Sequence, residues 1–197
     1  MSENSTAPAI DIFERSLPDK SFVADIGSGD GGASRYLKNK GHNVVEIDYG
    51  RDGIRFEDLK VENYFDGLHC SHMLEHCKNP GIVLDKFRDI VTPGGYICLI
   101  VPPAKHNVVG GHLTLWNAGI LLYNLVRAHV DCRDARIRSY GYNVAVVCRN
   151  YWAEYDDDSL FEDNGDIEKL AEFFPFPVSQ GFDGRIASHN WRPFPKV

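Results

Sequence analysis

Three observations predict that this chain folds as an α/β protein on a mostly parallel sheet. Short apolar, strand-like runs alternate with helical patterns from residue 22 to about 130, the arrangement that places helices on both faces of parallel strands. The first run, Phe22-Val23-Ala24-Asp25-Ile26, passes directly into a glycine loop, Gly27-Ser28-Gly29-Asp30-Gly31-Gly32, where missing Cβ atoms allow a sharp turn and close approach of backbone N–H groups to a ligand. Two β-like segments, 135–140 and 142–149, are separated only by Gly141, and so tight a connection requires them to run antiparallel.

After the glycine loop, Ala33, Tyr36 and Leu37 recur at helical spacing, and Gly41 closes that helix as a left-handed cap. The next strand is Val44-Val45-Glu46-Ile47-Asp48. A weakly marked third strand lies near Ile54-Arg55-Phe56, and a fourth runs through Gly67-Leu68-His69-Cys70. Asn79-Pro80 reads as an N-cap with proline in the first turn, followed by an apolar stripe of Val83, Leu84, Phe87, Ile90 and Val91. Thr92-Pro93-Gly94-Gly95 is expected to stop this helix and turn the chain into Tyr96-Ile97-Cys98-Leu99-Ile100-Val101, a continuous apolar run suited to a buried central strand. Pro102-Pro103 ends it. A glycine- and histidine-rich loop, 104–115, precedes a helix from about Trp116 to His129 that buries Leu121, Leu122, Leu125 and Val126. Residues 1–20 are expected to form a helix or arm over the ligand site. Residues 151–197, with Asp156-Asp157-Asp158, Phe173-Phe174-Pro175-Phe176-Pro177 and Trp191, are expected to form a substrate-capping or packing segment.

The composition narrows the functional classes. A chain of 197 residues suits one domain with a proper core, its centre spanning roughly 20–150. Hydrophobic residues at 43% and charged ones at 25% are globular values. No run approaches the roughly 18 apolar residues of a membrane span, and the first residues lack a secretory pattern, so a cytoplasmic location is expected. The five cysteines, at 70, 77, 98, 132 and 148, contain no CxxC pair and are read as small buried hydrophobes. A net charge of −7 gives no general attraction to phosphate backbones, although a local basic patch of Arg127, Arg133, Arg136 and Arg138 is conceivable. The expected partner is a small-molecule substrate, with the chain acting as a monomer or homodimer.

Gly27, Gly29 and Gly32 also satisfy GxGxxG, so the glycines by themselves admit a dinucleotide. The carboxylates choose. A pyrophosphate would sit over the N-terminus of the following helix, where Asp30 would repel it. A ligand carrying an ammonium and a sulfonium group would instead find Asp25 and Asp30 attractive. This leaves a nicotinamide dehydrogenase as a remote alternative.

The pattern hydrophobic-x-Asp-x-Gly-x-Gly-x-Gly resembles motif I of the class I S-adenosylmethionine-dependent methyltransferases, and the succession of elements over roughly residues 20–150 extends the resemblance. It implies a three-layer, Rossmann-like sheet, mostly parallel, that closes with an antiparallel hairpin of its sixth and seventh strands. It also implies S-adenosyl-L-methionine as cofactor and S-adenosyl-L-homocysteine as product. The expected binding positions are Asp25, Gly27, Ser28, Gly29, Asp30 and Gly31, with Asp48 taking the ribose hydroxyls and Tyr49 beside it. Asp58 resembles the acidic position that accepts the adenine amino group, with Leu59 adjacent and Glu57 its rival. Cys70 and Ser71 would line the methionine portion with backbone groups.

His72-Met73-Leu74-Glu75-His76 resembles the small-molecule branch of these enzymes, in which Leu-Glu-His follows the fourth strand. In a helical turn, positions 72, 75 and 76 share a face and present imidazole, carboxylate and imidazole. The ubiquinone-biosynthesis O-methyltransferases have a similar cluster with a metal role, but with an acid where this chain has His72. A structural or substrate-facing role is therefore expected here, with no metal. Methyl transfer to a hydroxyl needs alignment and a general base. Histidine titrates in the right range, so His112, His106 and His76 are the candidate bases. The loop 101–116 and the aromatic tail resemble those of methyltransferases of polysaccharide and nucleotide-sugar biosynthesis, which implies a sugar hydroxyl as acceptor. The alternative is a non-catalytic cofactor-binding subunit that supports or regulates a partner.

Overall fold

The computed structural model describes residues 7–52, 56 and 62–195. Its elements run α1 (Ala7–Ser16), β1 (Phe22–Ile26), α2 (Gly32–Asn39), β2 (Asn43–Ile47), α3 (Tyr49–Asp52), β3 (Phe65–Ser71), α4 (Pro80–Ile90) and β4 (Val91–Val101). They continue with α5 (Ala118–Arg127), β5 (Arg136–Tyr140), β6 (Asn143–Arg149), α6 (Asp166–Lys169) and β7 (Ser188–His189). The expected strand at 54–56 falls mostly outside the described residues. Phe56 is described and is buried in the core.

The described strands form one sheet in the order β2-β1-β3-β4-β6-β5-β7. β1 to β4 are mutually parallel, whereas β6 runs antiparallel to both β4 and β5. The predicted α/β architecture and closing hairpin are therefore present, with β6 inserted between β4 and β5. Strand pleating sends alternate residues to opposite faces. Ala24, Ile26, Leu68, Cys70, Ile97 and Leu99 meet α4 and α5 on one side. Val23, Cys98, Ile100, Ala145 and Val147 meet α1 and α2 on the other.

Four local expectations are revised. Thr92-Pro93-Gly94-Gly95 does not separate helix from strand, because β4 begins at Val91. Its pairing with β3 shifts between Phe65 and Gly67, and Gly94 at φ 80° absorbs the extra residues as a bulge. The Asn150 amide donates to the carbonyl oxygens of Val91 and Arg88, at 2.7 and 2.9 Å, which satisfies the helix end that the glycines were expected to terminate. Asn79 occupies the N-cap position of α4, but its side chain makes no capping bond. The helix after the histidine-rich loop spans only 118–127 and is capped by the Asn117 side chain, which accepts from Ile120 N.

The fourth revision concerns the N-terminal segment. Helix α1 lies against the sheet, not over the ligand loop: Phe13, Leu17, Ile10 and Ile12 are buried beside Cys98 and Ile100. A Cβ at Gly67 would stand 2.7 Å from Leu17 Cδ2, so the bare backbone of β3 accommodates this helix. The tail also joins the packing, with Leu160, Leu170, Phe173 and Phe174 in one core and Phe194 in the other. None of the five cysteines forms a disulfide, and all but Cys77 are buried.

Candidate active site

Chain order reverses at β1, since β2 lies to one side of it and β3 to the other. Ligands of open α/β sheets bind outside the carboxyl ends of the strands at such a switch point. The two segments leaving that point are the glycine loop after β1 and the stretch 72–79 after β3.

Gly27, Gly29 and Gly31 all adopt positive φ, at 69°, 51° and 73°. The loop closes on itself through Gly31 N donating to Ser28 O at 2.8 Å, and it continues the sheet through Gly27 N to Ile47 O at 2.8 Å. Asp48, just past β2, accepts from Gly29 N at 2.8 Å and from Gly50 N at 2.9 Å. Its carboxylate is thus held against the loop. Asp30 is exposed and accepts from Gly32 N at 3.0 Å, covering an unsatisfied donor at the start of α2.

Asp25 lies beneath this loop, 1% exposed. Its Oδ2 accepts from Ser34 Oγ at 2.6 Å, and its Oδ1 lies 2.8 Å from His69 Nδ1. Burial raises the carboxyl's pKa, but the hydrogen bond and charge of His69, with the bonds to Ser34, outweigh it and hold the group below its ordinary value.

Beside the loop is a cavity of about 510 Å³. Ile26, Gly27 and Ile47 line it, together with Tyr49, Phe56, Ile82 and Val83 and with Met73, His76, Cys77 and Leu113. Gly27 and Tyr49 are the anticipated cofactor positions that line it directly, with Asp48 adjoining Tyr49. Cys70 faces the core, its thiol pushed well up by burial, and Ser71 is half-buried. Asp58 and Leu59 lie outside the described residues. Met73, Cys77, Ile82, Val83 and Leu113 were missed in the sequence because apolar wall residues carry no chemical signature. Met73 packs directly against the loop, since a Cβ on Gly27 would lie 3.0 Å from Met73 Cβ.

The 72–76 segment forms a tight 3-10 turn, Leu74–His76, entered through His72 at φ 54°. Glu75 is 1% exposed, and its oxygens accept no hydrogen bond of good geometry. They face His72 Nδ1 at 3.3 Å and His76 Nε2 at 3.8 Å. The Glu75 carboxylate beside it, helped by the hydrogen bond to Asn143, raises the His72 pKa against burial. Leu113 N and Thr114 N donate to Glu75 O at 2.6 and 3.2 Å, which draws the histidine-rich loop down onto the turn. His76 Nδ1 consequently lies 2.7 Å from Gly111 O, and the His76 and His112 rings meet edge to face at 5.1 Å. Donor atoms of Glu75, His76 and His112 all lie within 4.8 Å of one another, a set chemically suited to a divalent ion. His106 is exposed and does not join the cluster.

The sheet order and the switch-point glycine loop are those of the Rossmann-like methyltransferase fold. The methyltransferase domain model matches residues 5–165, and the chain belongs to that family. Among curated relatives, the ubiquinone biosynthesis O-methyltransferase of Psychrobacter cryohalolentis is 28% identical over 174 residues, covering 69% of this chain and 67% of that protein. The enzyme of the same name from Shewanella pealeana is 29% identical over 96 residues, 38% of this chain and 41% of its own length. Of solved structures, the 1,6-didemethyltoxoflavin-N1-methyltransferase of Burkholderia thailandensis, with its substrate and S-adenosylhomocysteine bound, superposes with a TM-score of 0.63 at 20% identity, covering 76% of this chain and 80% of that one. A SAM-dependent methyltransferase from Aquifex aeolicus gives 0.57 at 16% identity, covering 72% and 88%. No helix among the described residues is long and apolar enough to cross a membrane.

Proposed function

We propose that this chain transfers the methyl group of S-adenosylmethionine to a hydroxyl of a small-molecule acceptor, with a sugar or nucleotide-sugar as the acceptor class. The observation that carries the reading is that His76 lines the same cavity as Gly27, with the His112 ring set edge to face against it at 5.1 Å. In this reading the Gly27–Gly31 backbone and Asp30 receive the aminoacyl end of the cofactor, Asp48 takes the ribose hydroxyls, and Tyr49 and Ile82 flank the base. The acceptor oxygen forms a bond to the methyl carbon as the carbon–sulfur bond breaks, leaving a neutral thioether. The hydroxyl proton passes to a histidine.

His112 is the preferred base. His76 has its Nδ1 held by Gly111 O, and a Glu75 oxygen lies within 4.8 Å of a nitrogen of each ring. The name of the O-methyltransferase relatives supports oxygen as the acceptor atom. The test is calorimetry with S-adenosylhomocysteine, then methyl transfer to a panel of sugars, nucleotide-sugars and phenols. His112→Ala should lower turnover by about 10²–10⁴-fold and leave S-adenosylhomocysteine affinity unchanged. Binding of the product without turnover of any acceptor would favour the regulatory-subunit reading.

A second reading rests on the Glu75 carboxylate, which is buried and faces the His72 and His76 rings at 3.3 and 3.8 Å without a hydrogen bond of good geometry. A divalent ion held by Glu75, His76 and His112 would supply Lewis-acid activation of the acceptor hydroxyl. Turnover lost on chelation and restored by added Mg²⁺ or Zn²⁺ would select it.

A further inference from the structure

The geometry points to His69 as a positioning residue of the cofactor loop, acting through a Ser34–Asp25–His69 clasp that ties the two ends of the loop to the neighbouring strand. This inference rests on the reading of that loop as the cofactor site.

The register makes the clasp. Asp25 and His69 are direct partners across the parallel β1–β3 pair, so both side chains emerge on the face covered by α1 and α2. Each is 1–2% exposed, among apolar neighbours that include the Phe13 ring, 6.3 Å from the imidazole. A buried carboxylate in such surroundings is tolerated only when hydrogen-bonded. Asp25 stands two residues before Gly27, and Ser34 three residues after Gly31. The single carboxylate therefore spans the loop, with Ser34 on α2 donating to Oδ2 and His69 on β3 donating to Oδ1.

An ionised carboxylate only accepts, so the imidazole proton facing it resides on Nδ1. His69 Nε2 has no hydrogen-bond partner. A buried imidazole that leaves one nitrogen unsatisfied is costly for packing alone, and Asp25 is what its other nitrogen secures. Without that donor the carboxylate is free to rotate or draw in water. The distance between the end of β1 and the first turn of α2 is then no longer set. Three successive positive-φ glycines have no side chains of their own to hold that geometry.

Three variants decide the matter: His69→Leu removes the donor at similar bulk, His69→Asn keeps an N–H near the Nδ1 position, and Ser34→Ala opens the clasp from the helix side. Each is measured for S-adenosylhomocysteine affinity by calorimetry and for amide hydrogen exchange of ligand-free protein. His69→Leu should weaken binding at least tenfold and speed exchange in peptides covering 26–33, with β4 unaffected. His69→Asn should return both to within about threefold of the parent. Unchanged affinity in His69→Leu, equal impairment in His69→Asn, or exchange rising equally across the whole sheet would each overturn the inference. If His69→Leu does not fold, Ser34→Ala carries the test: faster 26–33 exchange with weaker binding supports the clasp, and no change refutes it. Should the parent protein itself not bind S-adenosylhomocysteine, the cofactor reading fails, and the exchange data on free protein still decide the clasp.

Discussion

Gly27→Ala probes the loop at the point where backbone conformation and cavity wall coincide. Gly27 sits at φ 69°, a left-handed conformation that costs a residue with a Cβ about 1–2 kcal/mol. The new methyl would also lie 3.0 Å from Met73 Cβ and 3.1 Å from Met73 Cγ. These atoms are close to the Met73 backbone and cannot swing away as a flexible tip would, so overpacking adds about 1–2 kcal/mol. Urea unfolding should therefore show a loss of about 2–4 kcal/mol, the sum of the two. The same displacement pushes Met73 into the 510 Å³ cavity that it lines with Gly27. S-adenosylhomocysteine affinity, measured by calorimetry on the folded variant, should fall at least tenfold, about 1.4 kcal/mol. A variant that keeps parental affinity while losing the expected stability would show that the cofactor does not rest on this loop. One that loses neither would refute the loop geometry itself.

Asp48→Ala removes the acceptor of the Gly29 and Gly50 amides and, in the proposed complex, the partner of the ribose hydroxyls. With hydrogen bonds to charged groups contributing about 1.5–3 kcal/mol each, S-adenosylhomocysteine affinity should drop about 10–100-fold in calorimetry, and an unchanged value would exclude Asp48 from the site. The depressed pKa of Asp25 means that its clasp contributes stability above the unfolded carboxyl value, near 4, and that this contribution is lost as pH falls through the lower folded value. Parent protein should therefore lose stability more steeply below pH 4 than Asp25→Asn in acid titrations followed by circular dichroism; parallel curves would contradict the assignment. A Cβ at Gly119 would collide with the Gly184 backbone and stand 2.8 Å from the Phe182 ring. Gly119→Ala should push the 182–184 segment off α5, cost about 1–3 kcal/mol and admit protease cleavage there; resistance equal to the parent would mean the segment repacks.

Much of the fold could be read from local sequence because its causes are local. The alternation of apolar runs, the left-handed closure at Gly41 (φ 95°), and the Gly141 turn that joins β5 and β6 each depend on a few neighbouring residues. The Thr92–Gly95 stretch misled for the opposite reason. Its glycines form a bulge within β4 only because Asn150, some 58 positions away, satisfies the carbonyl oxygens around it.

The candidate site divides along the same line. That residues 27–31 turn under positive φ and carry carboxylates on both sides was determined by the chain alone, since glycine and aspartate have those properties wherever they occur. Which carboxylate is held beneath the loop and which against it was decided by tertiary structure. Asp25 is occupied by His69, 44 positions away, and Asp48 is turned onto Gly29, 19 positions away. His112 rather than His106 reaches His76 because two amides of the same loop bond to Glu75 O. Residue types set what each group can donate, accept or titrate, whereas partnership depends on strand register and burial, which exist only once distant segments have packed.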